Sequence, residues 1–414
     1  MAGSRLFSEM RRSSPMPAEP KISTDTRAAL LLCGRFGVKR PGIKPLTQSE
    51  FHELDRALAA RNMRPGNLLG AKPSDLLSSA QGSAFCGERL SLLLGRADEL
   101  DEALFVWAEA GIWVIGERDE GYPVRLRRRL SSSRPPLLFG AGDMGRLDQG
   151  GVCIVGSRDS QKPALHFSTT IGARCAHEGL TVISSDMRGV DREAVKSTLS
   201  GKGRALIVLS DRLVKTVTVK RYREALADGF LTMVTPFSPD AGFSVANALR
   251  VNRYQYALSD VAVVVETRRK GGIWSGAEEN RSEKWVPAFV RTDKTMSSGN
   301  QALLHLGLYP LTQNDIETVK SLGDFFISQT VKYRESSTIP RVSNDKQQDS
   351  LDLYSVFLAE FQIIAGIQPR NETEIMKHFD IERVQVRKWL QRALMEGSAE
   401  KLKSAGKVVW RPES

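Results

Sequence analysis

The sequence predicts an α/β protein: a Rossmann-like, doubly wound and mostly parallel sheet, flanked by a small N-terminal helical domain and a C-terminal winged-helix domain. Three observations predict it. Between Gly151 and about Leu311, short apolar runs alternate with helical segments. Each run is too short for a helix and too uniformly apolar for a strand with one wet face, which is the pattern of strands covered on both faces. Upstream, residues 24–112 carry helical periodicity, and downstream, residues 351–414 read as three helices and a strand.

In chain order, residues 1–23 form a polar tail containing "MRRSSPMPAEP", expected to be disordered and lacking the apolar centre of a signal peptide. Within 24–112, "LTQSEFHELDRALAARN" places Leu46, Phe51, Leu54 and Leu58 on one helical face, with Thr47 as a cap before Glu50. Further helices are expected around "PSDLLSSA" and "GERLSLLLGRADELDEALFVWAEAG". A DNA-binding helix-hairpin-helix and a plain helical adaptor fit this stretch equally well.

The central domain is expected over residues 113–330. It opens with strand, turn, helix and strand in "GIWVIGERDEGYPVRLRRRLSSSRPPLLFGAGD". The parallel strands follow as "VCIVG", "LTVISS", "ALIVLS", "LTMVTPF", "VAVVVET" and "VPAFVR". Residues 331–350 read as a polar linker without periodicity. In residues 351–414 the third helix carries Arg383, Arg387, Lys388 and Arg392, as a groove-reading helix would. Acidic residues nearly balance the basic ones across this unit, so protein binding is at least as good a reading.

The whole chain of 414 residues has a formal net charge of +11, which favours a polyanionic partner. Cys33, Cys86, Cys153 and Cys175 are scattered without metal-ligand spacing to one another or to the five histidines. No disulfide framework, metal or cofactor is expected, and a reducing cytoplasm fits. No apolar stretch approaches the ~20 residues of a membrane span.

Candidate binding residues cluster where strands end. Gly156, Ser157 and Arg158 follow the strand "VCIV" and offer backbone N–H groups and a guanidinium to a phosphate. "ALRVNRYQYALSD" brings Arg250, Asn252 and Arg253 together with tyrosines before the next strand. "KGGIWSGAEEN" supplies Gly271, Gly272 and Ser275 at a helix start, and "SSGNQALLHLG" supplies Asn300 after the last strand. Ligands of open α/β sheets sit outside the carboxyl ends of the strands, so these loops share one edge. Asp186 and Asp191 stand in the loop after "LTVISS", where Asp191 is expected to cap the next helix.

The region from about Gly121 to Leu308 resembles the DprA (Smf) family of DNA-processing proteins. "EGYPVRLRRRLSSSRPPLLFGAGD" is similar to that family's YP-x-x-L and P-P-x-L-F-x-x-G lead-in, and "CIVGSR" to its V-G-S-R. "SSDMRGVDREAVKSTLSGKGRALIVL", "NRYQYALSDVAVVVE" and "SSGNQALLHLG" follow in the family's order and spacing. Ser185, Asp186 and Met187 depart from the usual G-L-A, Val195 from a histidine, and Val251 from the first arginine of R-N-R. The chain therefore looks like a divergent member.

The resemblance implies a non-enzymatic protein that binds single-stranded DNA along the sheet edge, forms a homodimer and loads RecA. It implies roles for Gly156, Ser157, Arg158, Asn252, Arg253 and, more loosely, Lys220 in holding the strand. Natural transformation, DNA recombination, antiviral defence and toxin–antitoxin pairing, with a toxin or defence protein as partner, are the settings it opens. Two other classes compete. "KGGIWSGAE" is similar to the glycine-rich loop of lysine-decarboxylase-like phosphoribohydrolases, with Gly271, Gly272, Ser275 and Glu278 in register, but Trp274 fills the place of a glycine. That reading is a nucleotide sensor or hydrolase. The other is a toxin-neutralising interaction protein.

Overall fold

The computed structural model describes residues 22–37, 44–70 and 87–336, and most of 368–412 with a few positions before it. Residues 1–21 of the polar tail and the "PSDLLSSA" segment lie outside the described residues, as does Cys86. The chain divides into two compact units, 1–337 and 338–414.

The first unit opens with helices α1 (Thr24–Cys33), α2 (Gln48–Ala59), α3 (Gly87–Leu94) and α4 (Ala97–Glu109). The Thr47 hydroxyl accepts from Glu50 N–H while the Glu50 carboxylate accepts from Thr47 N–H, the reciprocal capping box its sequence calls for. Strand β1 (Ile112–Gly116), helix α5 (Val124–Leu130) and strand β2 (Leu137–Ala141) follow. Then come β3 (Val152–Gly156), α6 (Lys162–His177), β4 (Val182–Ser184), α7 (Val190–Ser200) and β5 (Ala205–Val208). After α8 (Leu213–Val217) and α9 (Lys220–Ala227) come β6 (Leu231–Thr235), α10 (Val245–Leu258), β7 (Val261–Glu266) and α11 (Gly272–Glu283). The unit closes with β8 (Ala288–Arg291), α12 (Ser298–His305), β9 (Tyr309–Leu311), α13 (Gln313–Thr318) and α14 (Leu322–Ser336).

These strands make one nine-stranded sheet in the order β1-β2-β6-β5-β4-β3-β7-β8-β9. From β6 to β9 every neighbouring pair is parallel, whereas β1–β2 and β2–β6 are antiparallel. The order steps outward one way from β3 through β4 and β5, then restarts on its other side at β7. The switch point therefore lies between β3 and β7.

Alternation along each strand explains the apolar runs. Val152 and Ile154 of β3 pack with Phe167 and Ile171 of α6 and Ala194 of α7. Cys153 and Val155 point the other way, against Tyr256 of α10, Ala277 of α11 and Leu303 of α12. β7 repeats the division, with Val261, Val263 and Val265 on one face and Ala262 and Val264 on the other. A strand buried on both faces has no wet face to set polar residues at every second position, so its sequence loses the period-2 alternation.

The expected boundary at 112/113 marks a change of secondary structure rather than the edge of a core. Leu30, Leu54, Leu93 and Trp107 from the N-terminal helices share one cluster with Phe139 of β2, Ile207 of β5 and Met233 of β6. In the second unit, α15 (Glu372–Phe379) and α16 (Arg383–Met395) precede an antiparallel hairpin of β10 (Ala399–Ser404) and β11 (Lys407–Pro412). Ile375, Val386, Leu390 and Trp410 form its own core.

Candidate nucleic-acid interface

At the carboxyl end of β3 the register against β7 shifts between Val155 and Gly156, which re-aims the loop that follows. Gly156 is buried, and its N–H donates to Asp191 Oδ1 at 3.0 Å. A Cβ on Gly156 would meet the Val190 side chain at 2.7 Å, so this glycine serves close packing of β3 on α7. The Ser157 N–H donates to the Glu266 carbonyl at 2.9 Å. The two amides expected to be bare for a phosphate thus have internal acceptors. Arg158 is exposed, its guanidinium carbon 5.6 Å from the ring centre of Phe243.

The β4 loop holds two carboxylates with different surroundings. Asp191 does not cap α7, whose N-cap is Gly189; it lies in the first turn, 3% exposed, and accepts from Gly156 N–H and the Ser185 hydroxyl. Burial pushes its carboxyl up to about 7, against the pull of those two hydrogen bonds and of Arg158. Asp186 accepts from Arg192 Nε at 3.3 Å, from Arg221 Nη2 at 2.8 Å and from the Tyr222 hydroxyl.

The β7 loop runs Thr267, Arg268, Arg269, Lys270, Gly271, and the three cations are exposed. Gly271 sits at φ +97°, in the left-handed region, and starts α11. Gly272 approaches α10 closely, since a Cβ there would lie 2.7 Å from Leu249 Cδ2. Ser275 is exposed in the first turn of α11. Trp274 packs, partly buried, against the core beneath that helix.

Several expected contact residues turn inward. Asn252 is 7% exposed and donates to the Gly272 carbonyl at 2.8 Å, pinning α10 to α11. Arg253 pairs with Glu279 between the same helices. Asn300 is fully buried: its Oδ1 accepts from Thr267 N–H at 3.0 Å, and its Nδ2 donates to the Val265 and Arg291 carbonyls at 3.0 and 2.9 Å. Asn252 and Asn300 position the loops from inside, whereas the Arg253 side chain stays 30% exposed. Arg250 is exposed and donates to Gln48 Oε1 at 2.7 Å, and Lys220 is exposed at the start of α9.

Sequence reasoning passed over two groups. Arg268, Arg269 and Lys270 were visible as a run of cations directly after "VVVET". Phe243, Val245 and Leu249 are 47%, 66% and 50% exposed at and before the start of α10, an apolar surface beside Arg158 and Gly272. Their signal was an apolar set in a segment that otherwise reads as loop. Among the described residues, no group of three or more His, Cys, Asp or Glu comes together as a metal site. No described helix is long and apolar enough to cross a membrane.

Residues 113–320, half of the chain, match the family described as DNA recombination-mediator protein A. The chain belongs to that family. The match spans β1 through α13, the whole sheet, and the family's proteins work in DNA processing and recombination. The fold is also similar to DNA processing protein A of Streptococcus pneumoniae, 18% identical at a TM-score of 0.47, covering 66% of this chain and 99% of that one. DNA processing protein A of Helicobacter pylori, described for its single-stranded DNA binding mode, is 21% identical at a TM-score of 0.44, covering 54% of this chain and 97% of that one. A molybdenum cofactor carrier protein of Chlamydomonas reinhardtii is 16% identical at a TM-score of 0.28, covering 43% and 97%. Comparison with curated proteins returned no match.

Proposed function

We propose that this member of the family binds single-stranded DNA, without a chemical step, in the crevice at the switch point between β3 and β7. One observation carries the reading: exposed Arg158, Arg268, Arg269 and Lys270 flank the exposed Phe243, Val245 and Leu249. Cations alone would serve any polyanion. Among nucleic acids, the apolar surface beside them favours a strand whose base faces are open, because a duplex hides those faces in its stack.

In this reading Arg158 and the β7 cations hold phosphates, while Phe243 and its neighbours receive a base. Gly156, Asn252 and Asn300 act by placing those loops. The carboxylates at the edge are held by the protein's own donors, which supports a binding role over hydrolysis. Homodimerisation and delivery of the strand to a RecA-type recombinase belong to the same proposal and rest on the family. Competition between an oligonucleotide and its duplex for the full chain tests the reading. The single strand is expected to win, and equal competition would refute it. Nucleoside monophosphates are expected to release no base, whereas release abolished by Glu278→Ala would establish the hydrolase reading instead.

A further inference from the structure

A groove of about 460 Å³ runs between α7 and α9, away from the switch point. Arg192, Lys196 and Lys202 line one wall, and Arg221, Glu224 and Asp228 the other. Chain direction fixes its course. α7 leaves the carboxyl end of β4 and ends before β5 begins, so Arg192 stands near the carboxyl edge and Lys202 near the opposite edge. α9 runs the same way toward the start of β6, carrying Arg221 near its beginning and Asp228 just past its end.

The carboxyl-edge end of the groove is tied to the strand-end loops by Asp186. Its carboxylate holds Arg192 and Arg221, whose side chains remain 40% and 49% exposed. Arg221 uses only one terminal nitrogen for Asp186, and a guanidinium has five N–H donors, so part of it still faces the groove. Asp186 thus orients these arginines without exhausting them. The charged residues lining the α7 wall are Arg192, Lys196 and Lys202, and Lys196 is 72% exposed with Glu193 of the same helix 3.9 Å away.

We propose that this groove is a second phosphate track, carrying the single strand onward from the crevice across the α7–α9 face. The inference rests on the single-strand reading and adds a site to it. The eleven residues of α7 span about 16 Å at 1.5 Å per residue. At the ~3.4 Å spacing of stacked nucleotides that is room for about five phosphates, and fewer for an extended strand. The ligand class is a polynucleotide backbone, because the cations are spread along a line and do not converge on one point.

The test is Lys196→Glu/Lys202→Glu in the full chain, titrated with thymidine oligonucleotides of about 6 and about 20 nucleotides, one near the lower end of common single-strand site sizes and one beyond the upper end. The parent is expected to bind the longer strand more tightly. The double variant is expected to lose about ten-fold on the longer strand and little on the shorter. Lys196→Arg/Lys202→Arg is expected to bind both like the parent, and a melting curve of each variant verifies the fold. Parental affinity of the charge-reversed protein for the longer strand would overturn the track while leaving the crevice intact. Absence of binding by the parent to either strand would refute the single-strand reading and the track with it.

Discussion

The loop after β3 and the start of α12, which the chain reaches after β8, look alike in sequence and behave differently in the structure. Both follow apolar strands, and both offer glycine, serine and a larger polar residue: "VGSR" in one, "SSGN" in the other. After β3 the larger residue, Arg158, turns to solvent beside Phe243. After β8 the larger residue, Asn300, turns inward and satisfies Thr267, Val265 and Arg291. The difference is one of supply and demand for hydrogen bonds. An amide has donors and an acceptor and can satisfy stray N–H and carbonyl groups together, whereas a guanidinium can only donate. On the inner side of the β3 loop the Gly156 N–H is already satisfied by Asp191.

The comparison breaks most visibly at Asn300. Asn300→Ala takes the side-chain partner from Thr267 N–H and from the Arg291 carbonyl, while the Val265 carbonyl still accepts from Arg291 Nε. At about 1–3 kcal/mol for each of the two groups, a loss of at least about 2 kcal/mol in denaturant melting is expected. A variant that melts like the parent would show that the start of α12 is not an internal clamp. Gly156→Val comes next. Its side chain would overlap Val190, and overpacking of this kind costs about 1–3 kcal/mol. A stable Gly156→Val that fails only in DNA binding would mean that Gly156 serves the ligand and not the packing.

Arg158→Ala should behave in the opposite way. A surface truncation changes stability by about 0.5 kcal/mol or less, whereas a charge-assisted phosphate contact contributes about 1.5–3 kcal/mol. An unchanged melting curve with roughly ten-fold weaker binding to single-stranded DNA is therefore expected. Early melting would make Arg158 a strut, like Asn300.

The smallest effect is a change of slope with pH. Asp191 titrates near 7 in the folded protein, above the ordinary carboxylate range, because burial disfavours its charge. The folded state therefore holds this proton more tightly than the unfolded chain. The stabilisation is complete in acid, below about pH 4, and is lost as pH rises through about 7. Arg158, Cys153 and Tyr256 are the groups that interact with it. Asp191→Asn keeps an acceptor for Gly156 N–H but cannot ionise, so its stability between pH 5 and 8 is expected to be flatter than the parent's, as measured by urea titration. Parallel profiles would remove Asp191 as the source.

Much of the fold was legible because strands buried on both faces announce themselves as unbroken apolar runs. Strand direction was not: "IWVIG" and "LLFGA" look like any other run, yet they pair antiparallel to each other. The three-residue β9, "YPL", is too short and carries a proline, so it left no pattern. In the site, Arg158 was legible from its place just beyond a buried run. Asn252 and Asn300 were not, because a polar residue at a strand or helix end serves a ligand or the backbone equally well until the neighbours are known. The reach of Asp191 from α7 back to Gly156 joins residues 35 apart in the chain, which no local pattern carries.

The central claim is that phosphates sit at the switch point between β3 and β7. Titrating single-stranded DNA over a salt series, with the parent and with Arg158→Ala/Arg268→Ala/Arg269→Ala, tests it most directly. For the parent, the logarithm of the binding constant should fall linearly with the logarithm of salt concentration. The triple variant should bind more weakly with a shallower slope, by about 0.7 for each phosphate that no longer meets a cation. Equal slopes for the two proteins, or a parent indifferent to salt, would contradict the account.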